Sequence, residues 1–269
     1  MVIAGCRIGL STPTGKWVNA LELLGAVLYL GASARESGTC WQDGINATCL
    51  PVVLVIVAAF AVRNGATQGA RSGAALFWLV VPGISLILLA GIGEWKAPVV
   101  SEVNSASLWA TVPLLLLPLL GNGMKDRKTG MFGVVMAIGI VGAAATLWLN
   151  GTQLPPNAAN AFYEYSKGIT LFGVAERFEA VSACLLTAGW FALFAFLLGS
   201  IFEIAEESRK GMGTWSVWCG GAVAVLVMYK LPISIEQAGV FCVISWGFLP
   251  LLTQAVEWLK KSKKCNKNY

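Results

Sequence analysis

The sequence predicts an all-α integral membrane bundle, and three observations predict it. Of 269 residues, 57% are apolar and 12% are charged, about half the charge of a soluble domain. Mean hydropathy is +0.70, and apolar runs of membrane-crossing length recur from one end of the chain to the other. Between those runs, Lys and Arg collect in every second connection, as in a multi-pass protein. Eight spans of about 20 residues leave short connections and no room for a soluble catalytic domain. The count of His is zero, which removes Ser-His-Asp and Cys-His nucleophiles, His-ligated haem and the HExxH metal site. The expectation is transport, sensing or a structural membrane role; not an enzyme, with no cofactor, no metal and no nucleic-acid partner.

Residues 1–17 form an N-terminal cytoplasmic or interfacial segment, 18–259 the transmembrane domain, and 260–269 a basic cytoplasmic tail. Met1 to Leu10 is apolar but too short to span, and Ser11 to Gly15 punctuates it. It lacks the basic start and cleavage pattern of a signal peptide. Span 1, Val18 to Ser33, follows the Lys16-Trp17 boundary; span 2, Leu50 to Val62, is short. Span 3, Gly73 to Ile92, opens on the Gly69/Gly73 small-residue pair and carries Pro82. Span 4, Ala106 to Leu120, is again short. Span 5, Met131 to Leu149, holds a second small pair, Gly133 and Ala137. Span 6, Phe178 to Phe202, is opened by Glu176, Arg177 and Glu179. Span 7 runs from Trp215 to Met228, and span 8, Val240 to Leu259, contains Pro250.

With the N-terminus inside, 14 of the 19 cations lie on the inner side and 5 outside, and the bias holds in every inner connection. The topology is therefore N-in/C-in. The Lys-rich tail adds attraction to anionic lipid. Eleven Trp are mostly interfacial anchors, among them Trp17, Trp215 and Trp218, whereas Trp78 and Trp190 lie within spans.

Charge in hydrocarbon is costly, so ionisable groups near spans are functional candidates. Glu22 is a proton or amine site, or an interfacial ion pair. Glu176, Arg177 and Glu179 either pair to orient a helix entry or couple to a proton. Glu203 to Glu207 with Arg209 and Lys210 read as a solvated helix end. Hydroxyls deep in spans, Tyr29, Ser85, Ser182, Thr187 and Ser216, either satisfy a carbonyl or line a pocket at mid-depth. The seven Cys include no CxxC, so no zinc knuckle or redox motif is present. Cys40 and Cys49 share an outer connection, where a disulfide is one of two alternatives.

Two stretches resemble a known family. One is Ala59 to Arg71 running into Phe77 to Pro82; the other is Tyr165 to Ile169, followed by Gly173 to Ala180 and the Trp190 helix. Both resemble the spore germination permease family, the multi-span (B-type) subunit of germinant receptors, within the amino acid–polyamine–organocation transporter superfamily. Leu116 to Leu120, Lys125 to Lys128 and the closing Pro250 with its basic tail fit the same pattern. The family usually has ten spans, so the eight here match its third to tenth, and Met1 to Leu10 would be the remnant of its second. The resemblance implies a multi-pass protein of the bacterial inner membrane. It also implies a small amino acid ligand among spans 1, 4 and 6, lined by Tyr29, Ser182, Thr187 and Trp190, and partner receptor subunits. Two alternatives stand beside it: a stand-alone transporter whose proton is carried by Glu22 or Glu176, and a degenerate permease that only holds partners in the bilayer.

Overall fold

The computed structural model describes residues 13–39, 49–90, 112–114, 116, 163, 166, 178–253, 255, 256 and 259. Of these, 92% are helical and none is in a strand. The elements are α1 (Pro13–Thr39), α2 (Cys49–Val62), α3 (Ala66–Ala90), α4 (Phe178–Ser208), α5 (Gly213–Lys230) and α6 (Ile235–Cys242), the last running into a π-helix over Val243–Phe248. Six of the eight expected spans fall on these helices. Span 5 lies outside the described residues, and of span 4 only residues 112–114 and 116 are described, as helix. Trp17–Gly38, Ala180–Ser208 and Ile235–Thr253 are each long and apolar enough to cross a bilayer, while Cys49–Val62 is apolar but shorter. The described residues are thus all-helical, with three helices of membrane-spanning length and apolarity.

Local chemistry sets the ends of these helices. Pro13 and Pro51 stand in first turns, where the missing N–H is no loss. Gly65, at φ 134°, turns the chain between α2 and α3, and its N–H donates to the Val62 carbonyl at 2.8 Å. Gly211, at φ 85°, does the same between α4 and α5. Ser234 and Gln237 form a reciprocal capping box that starts α6. The π-helix has its cause in Pro250: the proline ring clashes with the carbonyl one turn back and has no N–H to give it. Widening the turns before it relieves both, and the Leu249 N–H reaches five residues back to Ile244.

Two contacts fix the relative directions. The Thr214 hydroxyl donates to the Arg63 carbonyl at 3.1 Å, so α2 ends where α5 begins. Arg35 reaches the Met228 carbonyl from Nε at 3.0 Å, so α1 and α5 end together. α1 and α5 are thus parallel, and α2 is antiparallel to both. The last helix runs back along α1, since Cys242 meets Gly25 while Trp246 meets Glu22.

α1 and α4 form the middle of the bundle. α1 packs on α2, α4, α5, α6 and the π-helix, and α4 packs on α1, α2, α3 and α5. Within its span, 67% of α1 is buried, the largest share of the three. The core between them holds Tyr29, Leu30, Phe194, Leu197, Leu198, Ile201 and Trp246. Lipid tails are as apolar as these side chains, so close packing must supply the association energy. Glycines supply the approach. A Cβ on Gly31 would fall 2.7 Å from the Ala224 carbonyl oxygen; one on Gly83 would fall 2.7 Å from Leu185, and one on Gly213 2.7 Å from Phe202. The side-chain surroundings of Gly69 and Gly73, and all of Gly133 and Ala137, lie outside the described residues. α3 continues through Pro82, which faces outwards, while the neighbouring Gly83 takes the contact with α4.

Candidate functional site

The seam between α1 and the π-helix concentrates the buried polar chemistry. Glu22 and Asn19 on α1 are 9% and 7% exposed. The Trp246 indole Nε1 donates to the Glu22 backbone carbonyl at 3.1 Å. Its ring stands edge-on to Tyr29, with centroids 5.9 Å apart at 78°. The Cys242 thiol points at the Gly25 carbonyl at 3.4 Å, and the Ser245 hydroxyl donates to the Cys242 carbonyl. Gly25 permits this approach, because a Cβ there would fall 2.7 Å from Ser245 Oγ and 2.9 Å from Trp246 Nε1. Leu116, of expected span 4, reaches the same place beside Gly247. Here a phenol, an indole, a thiol and a hydroxyl share one water-poor seam with the backbone carbonyl of Glu22, beside backbone that Pro250 has pushed out of regular helix.

The expected ligand residues divide between this seam and α4. Tyr29 is in the seam, 1% exposed. Ser182 begins α4, fully buried, with its hydroxyl 2.6 Å from that of Ser166. Ser166 in turn donates to the Tyr163 carbonyl, so Ser166 and the start of α4 are brought together. Thr187 turns its hydroxyl onto the Ala183 carbonyl, one turn back on its own helix, at 2.8 Å. Trp190 is half-buried against the core and beside Phe194, at 6.1 Å between centroids. Its Nε1 is shut away from solvent and has no hydrogen-bond partner among the described residues. Of the proton and ion-pair candidates, Glu22 is buried on α1, with its backbone carbonyl at the seam. Glu176 and Arg177 lie outside the described residues, as does the side chain of Glu179.

Sequence reading missed three features. Trp246, Ser245 and Cys242 passed as ordinary span residues, although Pro250 pointed to irregular backbone one turn away. Arg35, which falls among the five cations expected outside, binds the Met228 and Leu231 carbonyls through its guanidinium, the second at 2.6 Å. It thereby satisfies the open C-terminal end of α5. Glu36, next to it, lies close to Glu236 in the first turn of α6, so like charges meet across that end. Glu206 is more than part of a solvated helix end: its two carboxylate oxygens accept from the Gly211 and Gly213 amides, each at 2.9 Å, clasping the α4–α5 turn. Trp17 and Trp215 are exposed as interfacial anchors should be, at 74% and 72%. Trp218 instead packs edge-on against Phe60, with centroids 5.0 Å apart. Cys49 is a free, exposed thiol.

No protein-family model, curated protein or solved structure matches the chain.

Proposed function

We propose that this chain is an eight-span inner-membrane protein of the spore germination permease type, which binds a small amino acid or similar nutrient as a subunit of a germinant receptor. The observation that carries the ligand is Trp190. An indole N–H only donates, and a buried donor without a partner costs about 1–3 kcal/mol. A carboxylate oxygen at mid-depth is the fitting acceptor. Trp190 stands on α4, the helix that packs against the Tyr29 helix, and both helices were expected at the ligand on other grounds. The reading involves no covalent step; a stand-alone transporter would move the ligand by alternating access.

The direction across the bilayer follows from charge. Exposed Arg63, Arg71, Arg209 and Lys210 gather where α2 ends and α5 begins, against Arg35 and Lys230 at the other end. Since cations are retained on the cytoplasmic side, this distribution supports the reading with the first end, and with it both termini, inside. The partner subunits rest on the motif resemblance alone.

A second reading, a membrane scaffold without a ligand, draws on Tyr29 and Thr187. The phenol ring is packed on Trp246 and the Thr187 hydroxyl is bound to its own helix, as in side chains that only hold a bundle together. The test is binding of radiolabelled neutral L-amino acids to the purified chain in lipid nanodiscs, repeated with Trp190→Phe. The nutrient reading expects saturable binding that Trp190→Phe weakens without lowering the melting temperature. Binding unchanged in Trp190→Phe refutes the assigned site, and no binding by the wild type leaves the scaffold.

A further inference from the structure

The outward faces of α2 and α5 join into one exposed apolar surface that ends in cations. On α2, Val53, Ile56 and Phe60 are exposed, and with Arg63 they recur at intervals of three and four residues, along one side of the helix. On α5, Trp215, Cys219, Ala222 and Leu226 repeat the pattern, all exposed. Phe60 meets the half-buried Trp218 edge-on, so the two rows are neighbours. Val53 to Arg63 is about 15 Å of helix at 1.5 Å per residue, half of a hydrocarbon core of roughly 30 Å. The row on α2 therefore has the depth of one leaflet.

Contacts on the page hold the cationic end in place. The Arg63 guanidinium lies over the Phe60 ring, 5.7 Å from its centroid, so the ring keeps it at the head of the apolar row. The Thr214 hydroxyl donates to the Arg63 carbonyl, which brings the end of α2 beside the turn that carries Arg209 and Lys210. Those two and Arg71 are exposed, and among the described residues Glu207 is the one exposed carboxyl there. Glu203 and Glu206 are half-buried, and Glu206 has both oxygens on the Gly211 and Gly213 amides. A second copy of the chain would need apolar and polar counterparts for this whole surface. A phospholipid supplies both at once: acyl chains of one leaflet's depth, and a phosphate that matches the guanidinium fork. We infer that the α2–α5 face holds an anionic phospholipid, with its phosphate on Arg63, its headgroup towards Arg209 and Lys210, and its chains over Phe60, Ile56 and Val53.

The lipid site rests on the bilayer part of the reading above and not on the nutrient site. Release of the chain from membranes by alkaline carbonate, without detergent, would refute the bilayer itself, and is read first. The test of the site is native mass spectrometry of the purified full chain in detergent, titrated with phosphatidylglycerol or with phosphatidylcholine of the same acyl chains. The wild type should bind its first phosphatidylglycerol about fivefold more tightly than Arg63→Ala does. Arg63→Lys should fall between them, and Lys230→Ala, at the far end of α5, should equal the wild type. Arg63→Ala keeps the joint to Thr214, because that bond uses the backbone carbonyl, and an unchanged melting temperature in lipid-free detergent checks this. Equal affinity of Arg63→Ala and the wild type, or an equal loss in Lys230→Ala, overturns the site in favour of diffuse charge. No preference over phosphatidylcholine overturns the anionic assignment. Displacement by millimolar glycerol phosphate would mean a soluble phosphate, and a dimer mass lost in Arg63→Ala would mean a second copy; either overturns the lipid. Amino acid binding should be the same in Arg63→Ala and the wild type, so the nutrient site and the lipid site fail separately.

Discussion

Replacing Gly31 with alanine tests the packing account most directly, because the added carbon has nowhere to go. It would lie 2.7 Å from the Ala224 carbonyl oxygen, 2.7 Å from Val227 Cγ1 and 2.8 Å from Val227 Cβ, where carbon contacts normally settle at about 3.5–4.0 Å. The first obstacle is backbone, so no rotamer change removes it, and α5 must retreat from α1 by close to an ångström. Overpacking of this kind costs about 1–3 kcal/mol. Alanine's better helix propensity offsets about 1 kcal/mol, leaving a net loss of up to about 2 kcal/mol. Gly189→Ala on α4 is the matched control, since its new carbon would meet only Val80 Cγ1, at 3.9 Å. That variant should gain between nothing and about 1 kcal/mol. Thermal unfolding of both variants and the wild type in one detergent, followed by tryptophan fluorescence, should rank Gly189→Ala first, the wild type next and Gly31→Ala last. A Gly31→Ala protein that melts at or above the wild type refutes the α1–α5 contact as drawn.

Three further substitutions test the joints around that bundle. Arg35→Ala should destabilise by about 1–2 kcal/mol through loss of charge-assisted bonds to the end of α5, with Arg35→Lys between it and the wild type because an ammonium lacks the fork that reaches several carbonyls; equal melting temperatures for all three would refute the clasp. Glu206→Ala should speed hydrogen exchange at the Gly211 and Gly213 amides while leaving the amides of mid-α5 unchanged, and protection retained at both glycines would show that the carboxylate does not hold the turn. Trp246→Phe keeps the ring against Tyr29 but loses the donor to the Glu22 carbonyl, so it should cost about 0.5–1.5 kcal/mol, against about 3–5 kcal/mol for Trp246→Ala; similar losses for the two would place the energy in the hydrogen bond and not in the ring.

Much of the helical framework was legible because hydrophobic length is a long-range signal that survives local irregularity. Spans 1, 2, 3, 6, 7 and 8 each fall on a helix, with ends displaced by a few residues where Pro51, Gly65 or Ser234 sets them. Three of these helices meet the length and apolarity of a membrane span. The close approaches were not legible in the same way. Gly25, Gly31 and Gly83 matter because of what faces them, Trp246, Ala224 and Leu185, and no spacing within one helix names a residue on another. Arg35 escaped for a related reason: its partners are backbone carbonyls almost 200 positions away, and carbonyls carry no sequence signature. Pro250 announced irregular backbone, but the side chains that exploit it, Cys242, Ser245 and Trp246, needed the π-turns to be placed against Gly25. The buried polar residues of α1, Asn19, Glu22, Tyr29, Ser33 and Ser37, were in the sequence throughout. Read one residue at a time, Tyr29 and Glu22 are separate candidates; only burial of the whole series makes them members of one stripe.

Division of labour round α1 gives the packing contacts a common test. Gly31 meets α5 and Gly25 meets the π-helix, and the two glycines stand about 240° apart at 100° per residue. Sites without shared partners respond independently, to within about 0.5 kcal/mol, so the Gly25→Ala, Gly31→Ala double variant should lose close to the sum of the two single losses. Gly25→Ala and Trp246→Phe should behave differently. The carbon added at Gly25 would strike Ser245 Oγ at 2.7 Å and Trp246 Nε1 at 2.9 Å, displacing the indole from the Glu22 carbonyl that it binds. Removing the indole N–H removes part of that clash, so the double variant should lose less than the sum, measured by thermal unfolding of both single variants and the pair. Full additivity would mean that the indole is not what the new carbon displaces, and that Gly25 is held small by the Ser245 hydroxyl alone.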